Sequence, residues 1–220
     1  MHHRTTTIAL AGALLALTVT ACSSSSGHTG PGAAAAEPAP LTAQQLQQRL
    51  LTTTELGSDY VQSTSSTVRT GDVGMQGCPA LEKLAGASGG KPLAFTAKAT
   101  AGFAYTGPDG VSVLSEELHS DTAAKLSSGV KALFDAYASC PSFQMTAGSS
   151  PVQITIAKMT PAPLGDEQYR QTMTIATSTS TTVIEQAAVR VGTVEVMLTG
   201  APGLVEKQLP QAVQKARTAA

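Results

Sequence analysis

The chain has 220 residues, room for one domain of ordinary size and not comfortably two. Charged residues make up only 13% of it and the formal net charge is −1, so no basic stripe is present to hold a phosphate backbone. With 35 Ala, 29 Thr and neither Trp nor Asn, the composition disfavours a nucleic-acid binder, a coiled coil and a charged disordered tail.

Residues 1–21 read as an address rather than part of the fold. Arg4 supplies a positive start. Ile8 to Val19 is an apolar core of about 12 residues, short of the ~20 that a bilayer span needs. It closes on Val19-Thr20-Ala21-Cys22, a lipobox pattern in which small residues admit the chain to a peptidase cleft. This stretch resembles bacterial lipoprotein signal peptides. Cys22 is therefore the expected lipidation site, with diacylglyceryl and acyl chains holding the protein on the outer face of a cell membrane. An ordinary secretory signal with a chance cysteine is the alternative. The Ala/Thr bias and the missing Asn fit a high-GC actinobacterium.

Residues 22–40 read as a Ser/Gly/Ala/Pro tether. Ser23 to Gly32, Ala33 to Ala36 and Glu37-Pro38-Ala39-Pro40 carry no periodic apolar residues, so they cannot offset their ordering entropy. As a coil the tether spans ~20–25 Å.

Folded structure is expected over 41–220. Thr42-Ala-Gln-Gln45 fits a capping box, and Leu46, Leu50 and Leu51 then share a face, which predicts one helix over 42–52. Tyr60 to Arg69 predicts a strand. Cys78-Pro79 opens a short helix with Leu81 and Leu84 inward, ended by Gly86 to Gly90. Leu93–Tyr105 and Val111–His119 predict a hairpin around Gly107-Pro108-Asp109-Gly110. Ser120 or Asp121 caps a helix to about Ser139, with Leu126, Val130, Leu133, Phe134 and Tyr137 at helical spacing. Strands follow at 152–159, 168–177, 182–191 and 194–199. A last helix runs from Gly203 to Arg217, kinked or split by Pro210. Adjacent strands in runs predict a single α+β domain, an antiparallel β-sheet with helices packed on one side.

With Cys22 lipidated, Cys78 and Cys140 remain, and two cysteines in an exported domain are most simply a disulfide. A metal pair with His119 lacks a fourth ligand, and a redox pair lacks Cys-x-x-Cys spacing. From Gly77 onward the chain presents Cys78-Pro79-Ala80-Leu81, a hairpin, and a long helix ending Leu133-Phe134-Asp135-Ala136-Tyr137-Ala138-Ser139-Cys140. In these features it resembles the extracellular sensor domains first described on a mycobacterial receptor serine/threonine kinase, the PknH-like family. The resemblance implies a disulfide between Cys78 and Cys140 and a non-catalytic domain with a cleft for a signal. Family members commonly carry a second disulfide and a Trp, and this chain has neither.

Candidate chemistry is sparse. Gly86-Ala87-Ser88-Gly89-Gly90 fits G-x-S-x-G, but a nucleophile elbow needs a strand before it and a helix after it, the reverse of what is predicted here. Glu116-Glu117-Leu118-His119-Ser120-Asp121 is the densest polar cluster, and an unbroken strand puts Glu117, His119 and Asp121 on one face, suited to a cation or an acid–base pair. The alternative is a strand edge running into a helix N-terminus. Asp109 reads as a turn residue and Asp166-Glu167 as a strand entry. Met145, Met159, Met173 and Met197 read as core fillers. Gly200-Ala201-Pro202-Gly203 precedes a helix without a basic partner. No Walker, dinucleotide, HExxH or EF-hand pattern is present. The expected function is a lipid-anchored extracytoplasmic binding or sensor module for a small apolar or amphipathic ligand, without catalysis, cofactor, metal or nucleic acid. The alternative is docking to an envelope protein or wall polymer.

Overall fold

The computed structural model describes residues 38–63, 73–87, 93–108, 110–147 and 150–218. Cys22, the signal-like segment, Ser88 and Asp109 lie outside them. The first helix, α1 (Ala43–Gln47), starts at the expected capping box, with the Thr42 side chain accepting from the Gln45 amide. The single helix expected over 42–52 is two. A second capping box, Thr52 with Glu55, opens α2 (Thr53–Leu56), and Thr52 takes extended angles (φ −122°, ψ 158°) to form it. A cap of that kind interrupts the helix before it. Leu46, Leu50 and Leu51 are nonetheless all buried.

The strands are β1 (Tyr60–Ser63), β2 (Val73–Gln76), β3 (Ala97–Tyr105), β4 (Ser112–Ser120), β5 (Ser142–Ala147), β6 (Ser150–Lys158), β7 (Glu167–Ala176), β8 (Thr181–Val191) and β9 (Val194–Gly200). The remaining helices are α3 (Pro79–Ala87), α4 (Ala123–Ser139) and α5 (Pro202–Arg217). The β3–β4 hairpin forms at the expected turn, where Gly110 sits at φ 105°. The N-cap of α4 is Thr122, one residue beyond the expected cap. Helix α5 runs as one element through Pro210. Strands β2 and β5 were not legible: β2 is four residues with a glycine inside, and β5 follows directly on the α4 stop.

All nine strands form one antiparallel sheet in the order β1-β3-β4-β9-β8-β7-β6-β5-β2. Strands β1 and β2, consecutive in the chain, are its two edges.

The α+β class and the antiparallel sheet match expectation; the one-sided layering does not. Leu46, Leu56, Val205, Leu209 and Val213 of α1, α2 and α5 pack with Ala187, Val189, Val196 and Leu198. Leu81 of α3 and Val130, Leu133 and Phe134 of α4 pack with Ala188 and Met197, whose side chains leave the opposite face. Helices thus cover both faces. Central β9 is buried without alternation from Val194 to Leu198, as a doubly covered strand must be.

Cys78, just after β2, and Cys140, just before β5, form a disulfide with an S–S distance of 2.08 Å. It lies at the end of the β2–β5 pair, where Gln76 faces Gln144.

Candidate functional site

Alternation along β7 divides its side chains between the layers. Tyr169, Gln171 and Met173 face α4, whereas Arg170 faces α5. The connection from β6 to β7, residues 159–166, carries Pro161 and Pro163 and is pinned at both ends. The Met159 amide donates to the Arg170 carbonyl at 2.9 Å, and the Asp166 amide to the Arg190 carbonyl at 2.8 Å. Gly165 is required here by close approach: a Cβ on it would lie 2.4 Å from the Arg190 carbonyl oxygen and 2.5 Å from Val189 Cγ1.

Under this connection, between α4 and the sheet, lies a cleft of about 220 Å³. Phe134, Ala138, Ile156, Met159, Pro161 and Tyr169 give it an apolar wall. The Phe134 and Tyr169 rings stack at 5.0 Å with 23° between their planes. Burial raises the Tyr169 hydroxyl above its ordinary pKa, so the phenol stays neutral. Lys158 stands at the rim with no ion pair among the described residues. On the other side of β7 the same connection covers a recess of about 120 Å³ against Leu209 and Pro210. Its floor is fixed by Arg170, which grips buried Glu185 with Nε–Oε1 at 2.6 Å and Nη2–Oε2 at 3.1 Å. A wider, open groove of about 470 Å³ lies where the chain enters at Pro38 and Leu41, with Arg49, Thr193 and Arg217 around it.

The polar cluster singled out from the sequence is brought together only in part. His119 Nε2 and Glu117 Oε2 are 3.2 Å apart, and Lys98 Nζ donates to the same oxygen at 2.8 Å. The His119 bond, opposed by burial and aided by Lys98, holds the Glu117 carboxyl down at about 2. Asp121 does not join them. It clasps the start of α4, accepting from Thr96 N, Thr96 Oγ1, Thr122 N and Lys125 Nζ at 2.7–2.9 Å. Burial pushes its carboxyl up, but these bonds outweigh it and leave it below its ordinary value. His119 is buried, its ring edge-on to Phe95 at 5.3 Å. Asp166 and Glu167 both pair with Arg190. Met197 is in the core, Met145 and Met173 pack at its margin, and Met159 lines the cleft. Among the described residues no group of three or more His, Cys, Asp or Glu could hold a metal ion.

Glu185 and Glu195 were missed, and Glu116 was noted only as a member of the polar cluster; all three carboxylates are buried. Each lies in a strand whose sequence gives no reason to turn an acid inward, and only strand register reveals it.

Among the described residues, a nine-stranded antiparallel sheet with helices on both faces, one disulfide, and a cleft between α4 and the sheet define the class of domain. No family model and no curated protein matches the sequence. Among solved structures the chain is similar to the extracellular domain of PknH from Mycobacterium tuberculosis, at 18% identity and a TM-score of 0.53, over 80% of this chain and 94% of that one. A putative uncharacterized protein from Mycobacterium smegmatis, described as an Rv0999 ortholog, aligns at 10% identity with a TM-score of 0.42, over 82% and 99%. What the chain shares with the PknH extracellular domain is the fold. No helix among the described residues is long and apolar enough to cross a membrane.

Proposed function

We propose that this chain is a non-catalytic, extracytoplasmic binding module anchored through lipid on Cys22, and that the cleft between α4 and β7 holds a small amphipathic ligand. The observation that carries the reading is that cleft. At about 220 Å³ it falls below the ~300–1,000 Å³ of drug-sized sites, so the ligand is small. The stacked Phe134 and Tyr169 rings suit an apolar or aromatic body, and Lys158 at the rim suits an anionic head. Fold similarity to an extracellular domain and the lipobox-like Val19–Cys22 support an extracytoplasmic site of action. The test is native mass spectrometry of the protein from its host, beside Ala138→Phe, which fills the cleft. A co-purifying small mass that disappears in Ala138→Phe supports the reading; a mass retained by that variant overturns the choice of site.

One observation favours docking to an envelope partner instead. Val61, Ala104 and Val113 pair across β1, β3 and β4, and Val61, Val111 and Val113 are 52%, 79% and 60% exposed. This corner is at the far end of β4 from Leu41, whose amide donates to Ser120 Oγ. In-cell crosslinking from Val113 tests it.

A further inference from the structure

Five strands meet in one rung of charged side chains on the α4 face of the sheet. Glu167 of β7 pairs with Arg190 of β8, Arg190 with Glu195 of β9, Glu195 with His119 of β4, and His119 with Lys98 of β3. Its centre is sealed. Glu195 and His119 are each 1% exposed. Phe95 closes over His119, and Gly129 of α4 makes the room, since a Cβ there would lie 2.8 Å from the Phe95 ring. Glu195 Oε1 and His119 Nδ1 are both buried without a protein partner. Neighbours on paired strands have Cβ atoms ~4.5–5.5 Å apart, within reach of a direct or singly bridged hydrogen bond.

The hydrogen-bond roles follow from the rung's outer end. Glu117 is held ionised by Lys98 and His119, so its oxygen accepts and His119 Nε2 must carry the hydrogen. In a neutral imidazole that leaves Nδ1 as an acceptor in need of a donor. An ionised Glu195 would set a second acceptor against it; a neutral carboxyl supplies an O–H.

We propose that Glu195 and His119 share one buried proton, carried on the Glu195 carboxyl and donated to His119 Nδ1, which bolts β9 to β4. Burial pushes the Glu195 carboxyl well above its ordinary range, against the pull of Arg190 and in line with Glu167. The other charged or titratable groups around it are Tyr169 of β7 and Glu117 and Lys98 of the hairpin. On α4, Lys125, Lys131 and Asp135 are exposed and pair elsewhere.

The test is histidine-¹⁵N and glutamate-carboxyl ¹³C NMR on the full chain, with His119→Gln to assign His119 among the four histidines. At pH 7 the expected result is a protonated ε nitrogen, a hydrogen-bonded acceptor δ nitrogen and a neutral Glu195 carboxyl. Glu195→Gln, whose amide can still donate, should keep the δ-nitrogen shift, and Glu195→Leu should move it. Both nitrogens protonated, or an ionised Glu195, overturns the proposal. So does a δ-nitrogen shift unchanged in Glu195→Leu. If that variant fails to fold, the carboxyl shift of the wild-type chain and the Glu195→Gln spectrum decide.

Discussion

Glu116 reaches from the middle of β4 to the turn between α1 and α2, where its Oε2 accepts the Leu51 amide at 2.7 Å. The residue has no exposed surface and its other oxygen has no protein partner. Burial is the dominant effect and pushes the carboxyl up to about 7, against the Leu51 bond and Lys215. An acid whose folded value lies above its unfolded one is protonated in the fold while the unfolded chain has already lost the proton. Its contribution is therefore full below about pH 4.5 and declines as pH rises towards 7. That decline is on the order of 3 kcal/mol, and Glu195 contributes with the same sign. Denaturant unfolding at pH 5 and pH 8 should show the wild type losing stability on the alkaline side, with a smaller loss in Glu116→Gln. Equal losses would refute the assignment.

The acid side has the opposite sign. Glu117, at about 2, and Asp121, held down despite burial, stay ionised in the fold after their unfolded counterparts have protonated. Their contribution is present above about pH 4.5 and is lost as pH falls below it. Stability should pass through a maximum near pH 5. Lys98→Met, which takes one donor from Glu117, should make the acid limb shallower, as followed by thermal unfolding from pH 2 to 5.

Removing the disulfide with Cys78→Ser and Cys140→Ser should cost roughly 4 kcal/mol in the chain-entropy account of a loop of this length, read from urea midpoints of the oxidised and serine forms. Both sulfurs are buried, so mild reductant should leave the folded wild type oxidised. Rapid reduction without unfolding would contradict that.

Gly165→Ala places a methyl group against the Arg190 carbonyl and Val189. The 159–166 connection must shift, at a cost of about 1–3 kcal/mol by analogy with overpacking. Because that connection roofs the cleft, retention of the proposed ligand should fall with stability. A variant as stable as wild type that keeps its ligand would show that the close approach imposes nothing.

Much of the layout was legible from local signals. Capping at Thr42, the Gly107–Gly110 turn and the helical spacing of Leu126, Val130 and Leu133 act over a few residues and mark their elements directly. What failed depends on partners distant in sequence. Ala187-Ala188-Val189 gives no hint of which face it serves until helices cover both. Thr52 as a second cap is one polar residue in a run of threonines. Glu195 sits in a strand that otherwise reads as apolar, and its match to His119 exists only in the β4–β9 register. The cleft is equally nonlocal, because Phe134 and Tyr169 meet only across the α4–sheet interface.

The position of β9 has a consequence for synthesis. Among the described strands it comes last in the chain, yet it alone joins β1-β3-β4 to β8-β7-β6-β5-β2. A chain emerging from its N-terminus can form the hairpin, α4 and the Cys78–Cys140 link early, but two separate part-sheets must wait with bare edges until Val194–Gly200 arrives. Completion is a single late insertion. A chain ending before Val194 should present two open edges to other chains and aggregate, whereas one ending at Gly200 should close the sheet and lack only the cover of α5.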